Sequence, residues 1–110
     1  MASPRPNSAP PPRAPSLTEV LREHGAHKGR YVIRQNGEEA EMTYSITSPT
    51  LVIADHTAVP DSFRGTGAGL AMLTQFVADA RAEGFKIMPL CPFVNATRKK
   101  HPEWADVFAV

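Results

Sequence analysis

Three glycines, Gly65, Gly67 and Gly69, fall within five residues in the stretch SFRGTGAG, directly ahead of an apolar segment with helical spacing. Glycine starts a helix poorly unless something must approach the backbone there. A strand before the loop and a helix after it would leave several backbone N–H groups free at a helix N-terminus. Those donors, with the partial positive charge of the helix, suit a phosphate or pyrophosphate. Arg64 adds a positive charge at the mouth. The same glycines would also serve a turn that only lets a helix and a sheet pack closely. Two familiar phosphate loops do not fit. The nucleotide-triphosphate loop needs Lys and then Ser or Thr after its last glycine, but Leu70 follows Gly69. The dinucleotide loop needs a glycine at the sixth position from Gly65, where Leu70 stands.

Two further side chains could take part in chemistry. His56 lies three residues before Val59 on the segment that leads to the loop. Imidazole titrates near neutrality, so His56 is a candidate base; a structural histidine bonded to a neighbouring strand is the alternative. Asp55 is poorly placed to orient it, because adjacent strand residues point to opposite faces. Cys91 serves either as a small buried apolar residue or as a reactive thiol, the second needing a nearby positive charge or helix N-terminus. A single cysteine forms no internal disulfide and fits a reducing, cytoplasmic setting. His24, His27, His56 and His101 make no metal-ligand spacing with Cys91, so no metal site is expected.

The elements that must position these residues are legible in part. With 110 residues the chain predicts one domain, and 42% apolar with 21% charged residues predicts a soluble globular one. Residues 1–16 hold six of the eleven prolines and read as a disordered tail, with residues 17–110 as the folded domain. Such a tail is either a solvated segment or a docking peptide for a proline-reading partner. It carries Arg5 and Arg13 and no acid, which leaves ten basic and eleven acidic side chains in the remainder and argues against nucleic acid as the main partner. No apolar run approaches the length of a membrane helix, and the first residues lack the apolar centre of a secretory signal.

Leu17 to His24 is expected as a short helix capped by Ser16, with Glu19 at the capping-box position. Asn36-Gly37 predicts a hairpin between a strand over Tyr31–Arg34 and one in which Met42, Tyr44 and Ile46 alternate with polar residues. Leu51 to Ala54 follows as a third strand, whose continuous apolar residues predict cover on both faces. Leu70, Leu73, Phe76, Val77 and Ala80 form the apolar stripe of a helix closed by Gly84. A strand within FKIMPLCPFV is ended by Pro89 and Pro92; a helix runs from Asn95 to Lys100, and one or two turns span Glu103 to Phe108. Trp104 and Phe108 belong to the core at this spacing.

RGTGAG matches the Arg/Gln-x-x-Gly-x-Gly/Ala signature of the GNAT N-acetyltransferase superfamily, and its setting, a β-meander, then VP, the loop, an amphipathic helix and a strand, matches too. Closer still, HTAVP, RGTGAG, PLCPFV and HPEW fall in the order and spacing of a small family of single-domain GNAT-like proteins, which the chain resembles over about residues 28–108. The resemblance implies a minimal α/β (α+β) fold: a twisted, mostly antiparallel sheet with helices packed on it. It implies acetyl-coenzyme A as cofactor, transfer of acetyl to an amine acceptor (a protein lysine, a peptide or a small amine), and a monomer or weak dimer.

The pyrophosphate would lie on Arg64, Gly65, Thr66, Gly67, Ala68 and Gly69, and the pantetheine and thioester would meet backbone donors of Thr57, Ala58 and Val59. Asn95 would bond to the cofactor arm or cap its helix. Cys91 would face the acetyl group from a diverging strand, as acid to the leaving thiolate or as nucleophile, with His56 as base. A lysine-like amine with a pKa of about 10.4 costs roughly 4.6 kcal/mol to present neutral at pH 7, which is what a base must offset. Relatives place a tyrosine acid where this chain has Thr97, so that role is vacant or moved. The run Arg98 to His101 would meet the 3′-phosphate or remain a solvated face. A non-catalytic acyl-coenzyme A binding or protein-interaction module is the rival reading, and an adaptor acting through the tail is a third.

Overall fold

The computed structural model describes residues 19–110; the proline-rich tail and the Ser16 cap lie outside them. Five strands form one sheet in the order of the chain: β1 (Leu21–His24), β2 (Lys28–Gln35), β3 (Glu38–Ser48), β4 (Leu51–Ala58) and β5 (Lys86–Pro89). The first four are antiparallel, and β4 and β5 are parallel because the helix α1 (Ala68–Glu83) crosses between them. A short helix α2 (Pro92–Arg98) and a 3-10 helix over Pro102–Val107 complete the α/β fold.

Where a helix is expected up to His24, residues 21–24 instead form an edge strand, with Leu21 opposite Val32 and His24 opposite Gly29. An isolated segment this short is a marginal helix in water. As a strand it gains ladder hydrogen bonds and sends Arg22 and Glu23 to partners on opposite faces, Tyr44 and Arg30. The hairpin after β2 turns on Asn36 and Gly37, with φ of 52° and 79°, the left-handed pair that a tight two-residue turn requires.

Directly opposite residues in a sheet project from the same face. Two cross-strand rows, Arg22–Tyr31–Met42–Thr57 and His24–Gly29–Tyr44–Ala54, therefore define the face under α1. Leu73, Phe76, Val77 and Ala80 of α1 are buried there as their spacing predicts. Leu70, expected on the stripe, is 42% exposed, and Met72 and Gly69 take the buried positions of the first turns. Phe76 centres an aromatic cluster, 5.1 Å from the ring of Tyr31 and 5.3 Å from that of Tyr44. The polar tips are satisfied at the rim: Tyr31 Oη donates to Asp79 (2.7 Å), and Arg22 Nε donates to Tyr44 Oη (3.0 Å) while its guanidinium engages Glu83. Burial pushes both phenols above their ordinary range.

The opposite face carries the rows Glu23–Arg30–Thr43–His56 and Lys28–Ser45–Ile53. No helix covers it among the described residues, so Leu51 and Ile53 are only half-buried and β4 is covered on one face, not two. Here Arg30 and Arg34 bind Glu23, Glu39 and Glu41. Hydrogen bonds from Arg30 and Arg34 hold Glu23 and Glu39 below the usual carboxylate range, and Arg22 does the same for Glu83. The stability these acids contribute is complete above the ordinary glutamate pKa of 4.5 and is lost as pH falls through their lowered folded values. Denaturant midpoints measured from about pH 6 down to about pH 3 are expected to fall, with Arg22→Leu removing the Glu83 share of the slope.

Two irregularities shape the far end of β4. The β3–β4 register passes from Tyr44–Ala54 to Thr43–His56, so Asp55 is an extra, bulged residue. The β4–β5 ladder stops at Ala54–Pro89, since proline ends the strand as predicted, although earlier than the full FKIMPLCPFV segment. From Asp55 to Ala58, β4 therefore runs on without β5 beside it, and the sheet opens.

Candidate functional site

The chain leaves β4 through Val59 and Pro60 into a 3-10 turn over Asp61–Phe63, anchored by the buried ring of Phe63. The amides of Phe63, Arg64 and Thr66 are consumed by this turn, donating to the carbonyls of Pro60, Asp61 and Phe63. The other amides of the loop find no partner. Among the described residues, the amides of Gly65, Gly67, Ala68, Gly69 and Leu70 donate to no carbonyl or side chain, and the first bond across the helix start runs from Ala71 to Gly67.

The three glycines have two different reasons. Gly65 and Gly67 sit at φ of 77° and 78°, and a Cβ on either would stand in open space. Gly69 has helical backbone, but a Cβ there would lie 2.7 Å from Cζ of Phe93. So Gly69 lets the ring of Phe93 lie directly against α1, while Gly65 and Gly67 shape an exposed loop of amides.

That loop forms one wall of a cavity of about 450 Å³. Val59 and Leu70 line it beside the glycines, and Phe93, Thr97 and Lys100 face them from α2 and its end. Leu70 is thus turned outward into the cavity, which a helical wheel could not show. Arg64 also lines the cavity, its charge shared with Asp61 at 3.1 Å.

At the opening of the sheet, Thr57 and Cys91 meet. The thiol is buried, its Sγ is 3.1 Å from Thr57 Oγ1, and its amide donates to the Ala54 carbonyl. Ala58 is half-buried beside them, one residue before Val59. His56 belongs to the other face, opposite Thr43, exposed and with no side-chain partner among the described residues. The two candidate catalytic residues therefore flank the opening from its two sides and do not touch. Asp55 does not orient His56; bulged onto the open face, its carboxylate accepts from Ser45 Oγ at 2.6 Å.

The helix expected from Asn95 begins earlier, at Pro92, which suits a first helical position because it has no N–H to satisfy. Asn95 is consequently interior, its side-chain oxygen accepting from Arg98 Nε, and it is not the cap. The end of the basic run, Lys100 and His101, lines the cavity, and His101 also stacks on Trp104 at 4.1 Å and bonds to Glu103.

The profile of the GCN5-related N-acetyltransferase family matches residues 30–107. An NMR solution structure of a GCN5-like protein from Staphylococcus aureus, described as a candidate N-acetyltransferase, superposes with a TM-score of 0.63. The two are 30% identical over 86% of this chain and 90% of that one. No curated protein matches.

Proposed function

This chain belongs to the GCN5-related N-acetyltransferase family, and from that premise we propose that it binds acetyl-coenzyme A on the Gly65–Leu70 amides and transfers acetyl to an amine. The observation that carries the reading is the set of unpartnered amides at the start of α1, with left-handed glycines leaving open space above them. Backbone donors at a helix N-terminus suit a diphosphate, and Arg64 and Lys100 add cations at the same cavity. Val59, Leu70 and Phe93 supply apolar walls for a slender arm between α1 and α2.

When bound, acetyl-coenzyme A supplies an activated thioester. Ala54 and Pro89 are the last paired residues of β4 and β5, so the backbone of Thr57 and Ala58 is reachable from the opening. His56 holds the position for accepting the amine's proton at an imidazole nitrogen on the open face, and the Cys91 thiol lies on the core side against Thr57 Oγ1. Thr66, whose Oγ1 donates to the Phe63 carbonyl, would brace the loop, and Asn95 would reach the arm only on giving up Arg98.

Thr97 in place of an acidic hydroxyl and the burial of Cys91 favour a second reading, a module that binds acyl-coenzyme A without turnover. Calorimetric titration separates the cases. Acetyl-coenzyme A and desulfo-coenzyme A are expected to bind alike and ATP far more weakly. Equal binding of ATP, or no binding of any, would defeat the assignment. Loss of the thioester over an amine panel then marks the transferase, and tight binding with no loss marks the module.

A further inference from the structure

A second cavity, of about 350 Å³, lies on the face of the sheet away from α1. It is lined by Lys28, Arg30, Thr43, Ser45 and Asp55 among others. Its volume falls in the lower part of the roughly 300–1,000 Å³ range of small-molecule sites. Lys28 is the cross-strand partner of Ser45, and Ser45 Oγ donates to the Asp55 carboxylate, so a cation and an anion flank one serine.

The charges around this cavity are unevenly matched. Arg30 and Arg34 are committed to Glu23, Glu39 and Glu41. Neither Lys28 nor Asp55 has an ion-pair partner among the described residues. Asp55 is also the first β4 residue past the Ala54–Pro89 pair, at the edge of the opening, and His56 follows it opposite the cavity-lining Thr43.

Resting on the acetyl-transfer reading, we propose that this cavity takes the acceptor, and that the acceptor is a small zwitterion with a primary amine and a carboxylate, such as a free amino acid. Its ammonium meets Asp55 of β4 at the opening, and its carboxylate meets the long side chain of Lys28 on β2, two strand spacings away across Ser45 of β3. A diamine would oppose Lys28 and a dicarboxylate would oppose Asp55, so the pair selects for both charges at once. The ammonium end is the one brought to His56, where a proton must leave before the nitrogen can attack.

The test is an NMR titration of the ¹⁵N-labelled full chain with free L-amino acids, each beside its carboxamide, its N-acetyl form and the diamine putrescine. At least one free amino acid is expected to shift the Ser45 and Asp55 amides, with its carboxamide and N-acetyl forms at least about tenfold weaker, as loss of one charged contact implies. Asp55→Asn and Lys28→Gln should each weaken it about as much while leaving the acetyl-coenzyme A titration unchanged. The proposal is overturned if no free amino acid shifts these amides, if the carboxamide or putrescine binds equally well, or if Lys28→Gln has no effect. Amino acid binding here with no coenzyme A binding at the glycine loop would instead sink the acetyl-transfer reading and leave the site standing.

Discussion

Gly67→Val is expected to weaken acetyl-coenzyme A binding by about 100-fold while leaving the fold intact. The residue sits at φ of 78°, and nothing lies within 4 Å of where its Cβ would be. The obstacle is therefore the backbone. An L side chain in the left-handed region costs about 1–2 kcal/mol, and a β-branched one is a genuine outlier there. The loop has few internal bonds to hold it, so it escapes the strain by turning its peptide units. Doing so re-aims the free amides that follow. Each hydrogen bond to a charged oxygen is worth about 1.5–3 kcal/mol, so loss of two at the low end of that range accounts for the factor of about 100. Calorimetry measures it, with the melting temperature as the control for folding. Binding within about threefold of the parent would mean that the amide loop does not hold the ligand.

Gly29→Ala is expected to cost about 3 kcal/mol of stability, the upper part of the usual range for overpacking. The new Cβ would stand 2.4 Å from Tyr44 Oη, 2.5 Å from Tyr44 Cζ and 2.7 Å from the carbonyl oxygen of Glu23. None of these can withdraw cheaply. Tyr44 is buried between Tyr31 and Phe76, and its hydroxyl is held by Arg22 Nε and His24 Nδ1. The Glu23 carbonyl belongs to β1, paired to β2 at this point. For a domain of this size the melting temperature should drop by more than about 10 °C. Tyr44→Phe in the Gly29→Ala background should recover part of the loss by removing the nearest atom. A cost under about 1 kcal/mol for the single change would show that β1 and Tyr44 are not locked together in this way.

Gly29 also marks the limit of reading a sequence locally. Nothing adjacent to it in the chain announces that Tyr44, fifteen positions on, needs its space; the requirement follows from the register His24–Gly29–Tyr44. The same holds for β1. Its residues carry a plausible helix signature, and only the β2 edge and the rim partners Tyr44, Asp79 and Glu83 decide for a strand. Leu70 fits the helical stripe by spacing, yet the first turn of α1 overhangs the opening of the sheet, so the side chain faces the cavity.

What the chain determined on its own was the set of features whose causes lie within a few residues. Asn36-Gly37 turned the hairpin, the apolar spacing and Gly84 bounded α1, Pro89 stopped β5, and the glycines opened the loop. Positive φ, a missing N–H and a 3.6-residue period are local properties of residue types. Which face each side chain finally met was settled by tertiary pairing. One bulged residue, Asp55, turned itself away from the core, left His56 on the open face and left Thr57 against Cys91. A register is fixed by the partner strand, and a shift of one position reverses every face beyond it.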